Sequence, residues 1–358
     1  MKILVTGGAG YIGSHTAVEL AQAGYEPVLI DNFSNSRPSA VDGIARVLGR
    51  RLPFYEGDCC DADFMRRVFE SEKDVAGAIH FAALKAVGES IEKPELYLRN
   101  NLGSLKNLMD AMEKFNARYL VFSSSACVYG EADELPVREE TSLKRPESPY
   151  GETKQECERM IEEAVAKNRP FRAVSLRYFN PIGAHPSAHI GELPLGIPNN
   201  LVPFVTQTAA GILPELVVFG NDYPTPDGTA IRDYIHVVDL AKAHVKALEY
   251  LRTKSEKREG KCEKADMNGS SPVAFHPSPF HEIFNLGTGR GNSVFEVIKT
   301  FEEVNGLKLK YRVGARRQGD IAALYASCDK AQRELGWKAT LTLAEGLRDA
   351  WKWQCSLK

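Results

Sequence analysis

Residues 3–13 constrain the fold of this chain more than any other stretch. Ile3-Leu4-Val5 is a short apolar run that breaks at Thr6-Gly7-Gly8. Gly7, Gly10 and Gly13 follow at GxxGxxG spacing, and Tyr11 to Ala23 shows helical spacing that stops at Gly24. Backbone approaches a pyrophosphate closely only where side chains are absent. A helix N-terminus beyond the turn supplies free N–H groups and a positive dipole end. Such a unit takes an acid about 20 residues on as its partner. Here the second apolar run, Val28-Leu29-Ile30, closes on Asp31. A carboxylate there accepts from both ribose hydroxyls and repels a 2′-phosphate, so NAD is favoured over NADP. Arg37 nearby pulls slightly the other way. Asp58, after the third run, is either an acceptor for the adenine amine or a simple turn residue.

The same strand pattern recurs at Leu52 to Glu56, Ala78 to Phe81, Leu120 to Ser123 and Arg172 to Leu176. Helical stretches lie between, including a long one from about Pro94 to Asn116. Alternating strands and helices build βαβ units on a parallel sheet, and right-handed crossovers make it doubly wound. The expected class is α/β, a Rossmann-type NAD-binding sheet with a smaller α/β substrate-binding lobe. With 358 residues and about 150 per domain, two domains are expected. They are 1–179 for the cofactor and 180–358 for the substrate, with parts of 233–252 and 281–292 packing back on the first. Residues from Phe179 to Thr229 are rich in Pro, Gly and Asn, as a loop-rich lobe would be. Tyr234 to Val238, a helix to Leu251, Glu282 to Leu286, and helices around Asp329 to Leu335 and Leu343 to Gln354 return to regular pattern. The charged, then Ser/Pro-rich stretch 252–279 is expected to be a mobile surface insertion. There is no internal repeat.

Ser123-Ser124-Ser125 follows the fifth strand, at the carboxyl end where open α/β sheets bind ligands. Tyr150 and Lys154 lie four apart on a predicted helix and share a face. A free phenol near pKa 10 is a poor base at neutral pH. An adjacent ammonium is expected to lower that value. Tyr150 then takes a hydroxyl proton while hydride leaves the same carbon, with Ser125 bonded to the same oxygen. The YxxxK spacing is common by chance. Its weight comes from the glycine loop, Asp31 and the serine run in one chain.

Composition removes other classes. Lys+Arg number 45 and Asp+Glu 47, for a formal charge of -2. That balance gives no general reason to bind nucleic acid or an anionic membrane. No apolar run approaches the ~20 residues needed to span a bilayer, and the first apolar run is too short for a signal peptide. The seven cysteines, with no CxxC pair, fit reduced thiols in the cytoplasm rather than a disulfide framework. No spacing supports a metal site.

With these residues in place, the chain resembles the extended short-chain dehydrogenase/reductases, and within them the enzymes that epimerise UDP-hexoses. The resemblance covers nearly the whole chain apart from the 252–279 stretch. It rests on VTGGAGYIGSH (Val5 to His15), IDNFSNS (Ile30 to Ser36), HFAALKAVGES (His80 to Ser90), SSSACVYG (Ser123 to Gly130) and SPYGETK (Ser148 to Lys154). Further runs are LRYFNPIGAHPS (Leu176 to Ser187), GIPNNLVP (Gly196 to Pro203), FGNDYPTPDGTAIRDYIHV (Phe219 to Val237) and ARRQGDIAALYA (Ala315 to Ala326).

The resemblance implies reversible C4 epimerisation of UDP-galactose and UDP-glucose through a transient 4-keto sugar and tightly held NAD, in galactose metabolism. It makes Tyr150 the base, Lys154 its tuner and Ser125 its partner. It places Gly7, Gly10, Tyr11, Ile12, Gly13, Asp31, Asn32, Asn35, Ser36, Asp58, Cys59, Phe81, Ala82, Lys85 and Asn100 around NAD, with Tyr178 bordering the nicotinamide. It places Asn180, Asn200, Leu201, Val217, Phe219, Arg232, Tyr234, Arg317 and Asp320 around the UDP-sugar. Two guanidinium forks, Arg232 and Arg317, suit a pyrophosphate better than lysines would; either could instead be a surface ion-pair partner. Leu324 stands at the family's size gate for N-acetylated sugars, with core packing as its other reading, and weak UDP-GalNAc/UDP-GlcNAc activity is expected. A homodimer through helices near Pro94 to Asn116 and Tyr150 to Lys167 is implied too.

Rival readings share the glycine loop and YxxxK. A 4,6-dehydratase typically places an acid after the serine run, and Ser125-Ala126-Cys127-Val128 offers none. A UDP-glucuronate 4-epimerase performs the same C4 chemistry and stays open. A catalytically silent NAD-sensing regulator usually loses the Tyr or the Lys, and both are present.

Overall fold

The computed structural model describes residues 1–263, 279–317 and 319–357. The first half runs β1 (Lys2–Thr6), α1 (Tyr11–Gln22), β2 (Glu26–Asp31), α2 (Pro38–Leu48), β3 (Phe54–Glu56), α3 (Ala62–Ser71) and β4 (Val75–His80). It continues with α4 (Val87–Glu92), α5 (Pro94–Lys114), β5 (Tyr119–Ser125), α6 (Pro149–Ala166) and β6 (Arg172–Tyr178). Then come β7 (Asn180–Ile182), α7 (Leu201–Ala209), β8 (Leu216–Phe219), β9 (Ile231–His236), α8 (Val237–Glu263) and β10 (His281–Leu286). The chain ends with β11 (Gly291–Ser293), α9 (Val294–Asn305), β12 (Tyr311–Gly314), β13 (Ala323–Leu324) and α10 (Leu343–Ser356).

Seven strands form one parallel sheet in the order β10-β6-β5-β4-β1-β2-β3. Its central strands are apolar on both faces because helices cover both. One face buries Leu20, Ile44 and Leu248 from α1, α2 and α8. The other buries Met65, Leu108 and Ile161 from α3, α5 and α6. The strand order reverses between β1 and β4, so their carboxyl ends open the crevice in which such sheets bind ligands.

The second lobe is small. Strand β9 pairs with β7, β11 and β13, while β12 pairs with β8. Its core joins Val205 of α7, Val218 of β8, Phe301 of α9 and Leu347 of α10. Capping boxes at Ser293–Glu296 and Thr342–Glu345 start α9 and α10. Each satisfies orphan N–H groups at a helix start.

Three boundaries differ from expectation. The helix expected to end at Leu251 continues to Glu263. Its added residues are mostly Lys, Glu and Arg, strong helix formers that also gave the stretch its charge. The first part of the expected insertion is therefore helical, and 264–278 lies outside the described residues. The strand expected at Tyr234 to Val238 sits earlier, with α8 starting at Val237. The expected helix at Asp329 to Leu335 is a single π-turn, Ala331–Leu335, ended by Gly336 in the left-handed region.

Candidate active site

The turn between β1 and α1 is tight. Gly7 takes φ +68, and a Cβ on Gly13 would lie 2.1 Å from the Gly7 carbonyl oxygen. Gly10 precedes α1 with no side chain capping it, and no acid occupies the first turn. The exposed N–H groups therefore face the crevice. The Asp31 carboxylate, at the end of β2, folds back onto this turn. It accepts from the Ala9 N–H at 3.0 Å, the Phe33 N–H at 2.9 Å and the Ser36 hydroxyl at 2.7 Å. Asp58 accepts from the Asn32 amide and the Cys60 N–H. A side-chain-free cradle with an acid beside it suits an NAD pyrophosphate and ribose.

Ser125 ends β5, and Tyr150 and Lys154 occupy the first turns of α6. Ser148 caps that helix, its hydroxyl oxygen accepting from the Gly151 N–H, with Pro149 at the first helical position. Lys154 is buried. Its ammonium donates to the Ser123 carbonyl at 2.7 Å and sits 4.8 Å from the Phe122 ring centroid and 5.9 Å from that of Tyr150. Burial pushes its pKa down to about 8, and Cys157, Glu158 and Cys127 oppose that fall. The Tyr150 phenol moves the other way from the expected lowering. Burial holds it well above the ordinary value, Cys127 and Tyr178 add to the rise, and only the Ser125 hydrogen bond pulls it down. The physical reason is burial, which disfavours the charged phenolate and outweighs the Ser125 hydrogen bond, while the Lys154 ammonium is held by the Ser123 carbonyl. Tyr178 hydrogen-bonds Ser123, and burial raises its phenol to about 12.

Across the crevice, Arg232 of β9 is held by Asp320 and donates to the Ile231 carbonyl. The fork expected to face a ligand is thus partly engaged by a carboxylate from the same set. Arg317 stacks over the exposed ring of Phe219 at 4.7 Å. Leu324 is buried among Ala126, Val128, Tyr129 and Phe179.

One cavity of about 1090 Å³ joins these parts. Its wall contains every residue assigned above to cofactor, catalysis or substrate: the cradle with Tyr11 and Ile12, then Asn35, Cys59, Phe81, Ala82, Lys85, Asn100, Tyr178, Asn180, Asn200, Leu201, Val217, Tyr234, Asp320 and Leu324 among them. Cys127 and Glu192 are among the wall residues that the sequence reading did not assign to the site. Cys127 lies beside Tyr150. Glu192 accepts from the Asn200 amide at 2.6 Å and pairs with Lys85 at 3.8 Å. Its carboxyl is raised by burial. A lone acid in a Pro/Gly-rich loop carries no sequence signal, because its partners come from distant segments.

Fold and cavity together define a dinucleotide-dependent enzyme, and comparison with known proteins says of which kind. The model of the NAD dependent epimerase/dehydratase family matches residues 3–259, and the chain belongs to that family. The UDP-glucose 4-epimerase of Bacillus subtilis (strain 168) is 48% identical over 356 residues, covering 99% of this chain and 97% of that protein. The UDP-glucose 4-epimerase of Stenotrophomonas maltophila, solved with NAD and formylated UDP-arabinopyranose, superposes with a TM-score of 0.90 at 44% identity, covering 100% of this chain and 98% of that one. That of Bifidobacterium longum, solved with NAD+ and UDP, gives 0.89 at 43%, covering 99% and 98%.

Proposed function

We propose that this protein is an isomerase that inverts C4 of UDP-glucose, interconverting it with UDP-galactose while NAD stays bound. The carrying observation is the single cavity that joins the glycine cradle and Asp31, the Ser125–Tyr150–Lys154 set, and the Arg232 and Arg317 guanidinium groups. The relatives' names support the substrate.

The roles follow from position. Gly7, Gly10, Tyr11, Ile12 and Gly13 would hold the cofactor pyrophosphate. Asp31, Asn32, Asn35 and Ser36 would hold the ribose, with Asp58, Cys59, Phe81, Ala82, Lys85 and Asn100 beside them and Tyr178 at the nicotinamide end. Bound there, NAD supplies a reversible hydride acceptor, so no outside redox partner is needed. Tyr150 takes the O4 proton and returns it after the 4-keto sugar has turned about its anchor. Ser125 orients that oxygen. Lys154, now donating to the Ser123 carbonyl with its ammonium 5.9 Å from the Tyr150 ring centroid, would favour the phenolate on turning towards the phenol oxygen. Arg232 and Arg317 grip the substrate pyrophosphate. Asn180, Asn200, Leu201, Val217, Phe219, Tyr234 and Asp320 hold the rest of the UDP-sugar, and Leu324 limits the room beside the hexose.

We assign 1–179 to the cofactor and 180–358 to the nucleotide sugar. The packing of α8 on α1, and of β10 beside β6, supports 233–252 and 281–292 belonging with the first part. Two copies pair through α5 and α6 in this reading, and the exposed Leu98 on α5 is available to such a contact. Six cysteines are free among the described residues, which supports a reducing, cytoplasmic setting. No helix among those residues is long and apolar enough to cross a membrane.

The deciding experiment incubates purified protein with UDP-galactose and no added NAD, and follows UDP-glucose by chromatography. Conversion to an equilibrium mixture is expected. No conversion after adding NAD overturns the reading and turns attention to UDP-glucuronate.

A further inference from the structure

Behind the reacting residues lies a charged pair that the cavity does not reach. Arg177 of β6 and Glu158 of α6 are almost completely buried. The guanidinium grips the carboxylate as a fork, Nε to Oε1 at 2.9 Å and Nη2 to Oε2 at 2.6 Å. Neither residue lines the cavity. Their remaining hydrogen bonds reach outward. The Ser124 hydroxyl of β5 donates to Glu158 Oε1 at 2.5 Å. Arg177 Nη1 donates to the Tyr129 hydroxyl at 3.1 Å, and that hydroxyl donates to Asn285 of β10 at 2.6 Å. Each element carrying a reacting or bordering residue is thus tied to one pair. Ser124 sits between Ser123, which holds Lys154 and Tyr178, and Ser125. Glu158 follows Lys154 by one helical turn and Tyr150 by two. Arg177 adjoins Tyr178. Tyr129 ends the short turn that carries Cys127.

We infer that Arg177 and Glu158 form a positioning unit that holds the serine run, Tyr178 and the Tyr150–Lys154 face of α6 in register for the C4 chemistry. Burying two charges is costly, and a fold needing only stability would do as well with apolar residues. What the pair adds is direction: a fork and a carboxylate fix three elements at once. It also faces Lys154 electrostatically. The groups acting on that ammonium are Glu158 and Cys157 from α6 and Cys127 from the turn after β5, while His80 of β4 feels it in return. Of these, Glu158 is the carboxylate. Removing its charge, with the Arg177 cation left behind, lowers the pH at which Lys154 loses its proton.

The inference rests on Tyr150 and Lys154 being the reacting pair, and the test separates the two. In Glu158→Gln, the alkaline limb of kcat should move down by about one pH unit, with KM for UDP-galactose and NAD content unchanged within twofold. Ser124→Ala, which cuts one tie and leaves both charges, should lower kcat several-fold with the limb in place. An unmoved limb in folded Glu158→Gln, or unchanged kcat in Ser124→Ala, overturns the inference. Leaving a buried guanidinium unpaired destabilises strongly. If Glu158→Gln does not fold, Glu158→Gln with Arg177→Met removes both charges; the limb should still fall, and a wild-type limb overturns the inference. If Tyr150→Phe retains normal turnover, the reading of the site itself has failed instead.

Discussion

Tyr150 has one hydroxyl, and every proton step proposed at C4 passes through it. Its phenol starts high because it is buried, and the group that lowers it is the Ser125 hydroxyl through its hydrogen bond. Tyr150→Phe should keep NAD bound and reduce kcat by about 10²–10⁴-fold, the span of general acid–base catalysis. NAD content after denaturation and turnover of UDP-galactose measure both, and normal turnover would remove the assignment. Leu324 is a packing residue and a wall residue at once. We propose that N-acetylated UDP-hexoses pass it weakly. Leu324→Tyr should depress activity on UDP-GlcNAc at least tenfold more than on UDP-galactose, and equal losses on both would end the gate idea.

Between β1 and α1 the backbone does the binding, so substitution there is read as geometry. Gly13→Ala puts a methyl into the Gly7 carbonyl, so the turn must open and α1 must back away. The protein should fold and purify with little NAD, and full NAD content would show that the turn tolerates the shift. This element was legible in the sequence because its signals are local: an apolar run, three glycines in register, a helical stretch and an acid. The Tyr150–Lys154 spacing was legible for the same reason. Arg177–Glu158 and Glu192 were not, since a buried ion pair is made by packing β6 against α6 and leaves no periodic trace. The extension of α8 was misread because charge and helix propensity come from the same residues. The phenol's shift runs against the sequence expectation because spacing puts Lys154 beside Tyr150 and does not say how deeply the phenol is buried.

The whole molecule keeps several histidines neutral inside it. Burial lowers His15 and His80 to about 3, and His244 and His281 to about 4. Unfolded imidazoles titrate near 6.5. Below that pH the unfolded chain binds more protons than the folded one, so stability falls as pH falls towards the folded values. All four imidazoles act in the same direction, so their effects add. The urea midpoint should therefore drop steeply from pH 7 to pH 5, and a flat profile would contradict the burial of these rings. The sheet has a consequence for how the chain is made. Strand β6 is fully buried, and its outer neighbour is β10, with Ala173 facing His281 across the register. About a hundred residues separate the two strands, which at roughly 5–20 residues per second is about 5–20 s of synthesis. Throughout that interval the nascent chain carries a bare apolar strand edge, and any chaperone that shields such edges competes with β10 for the same place.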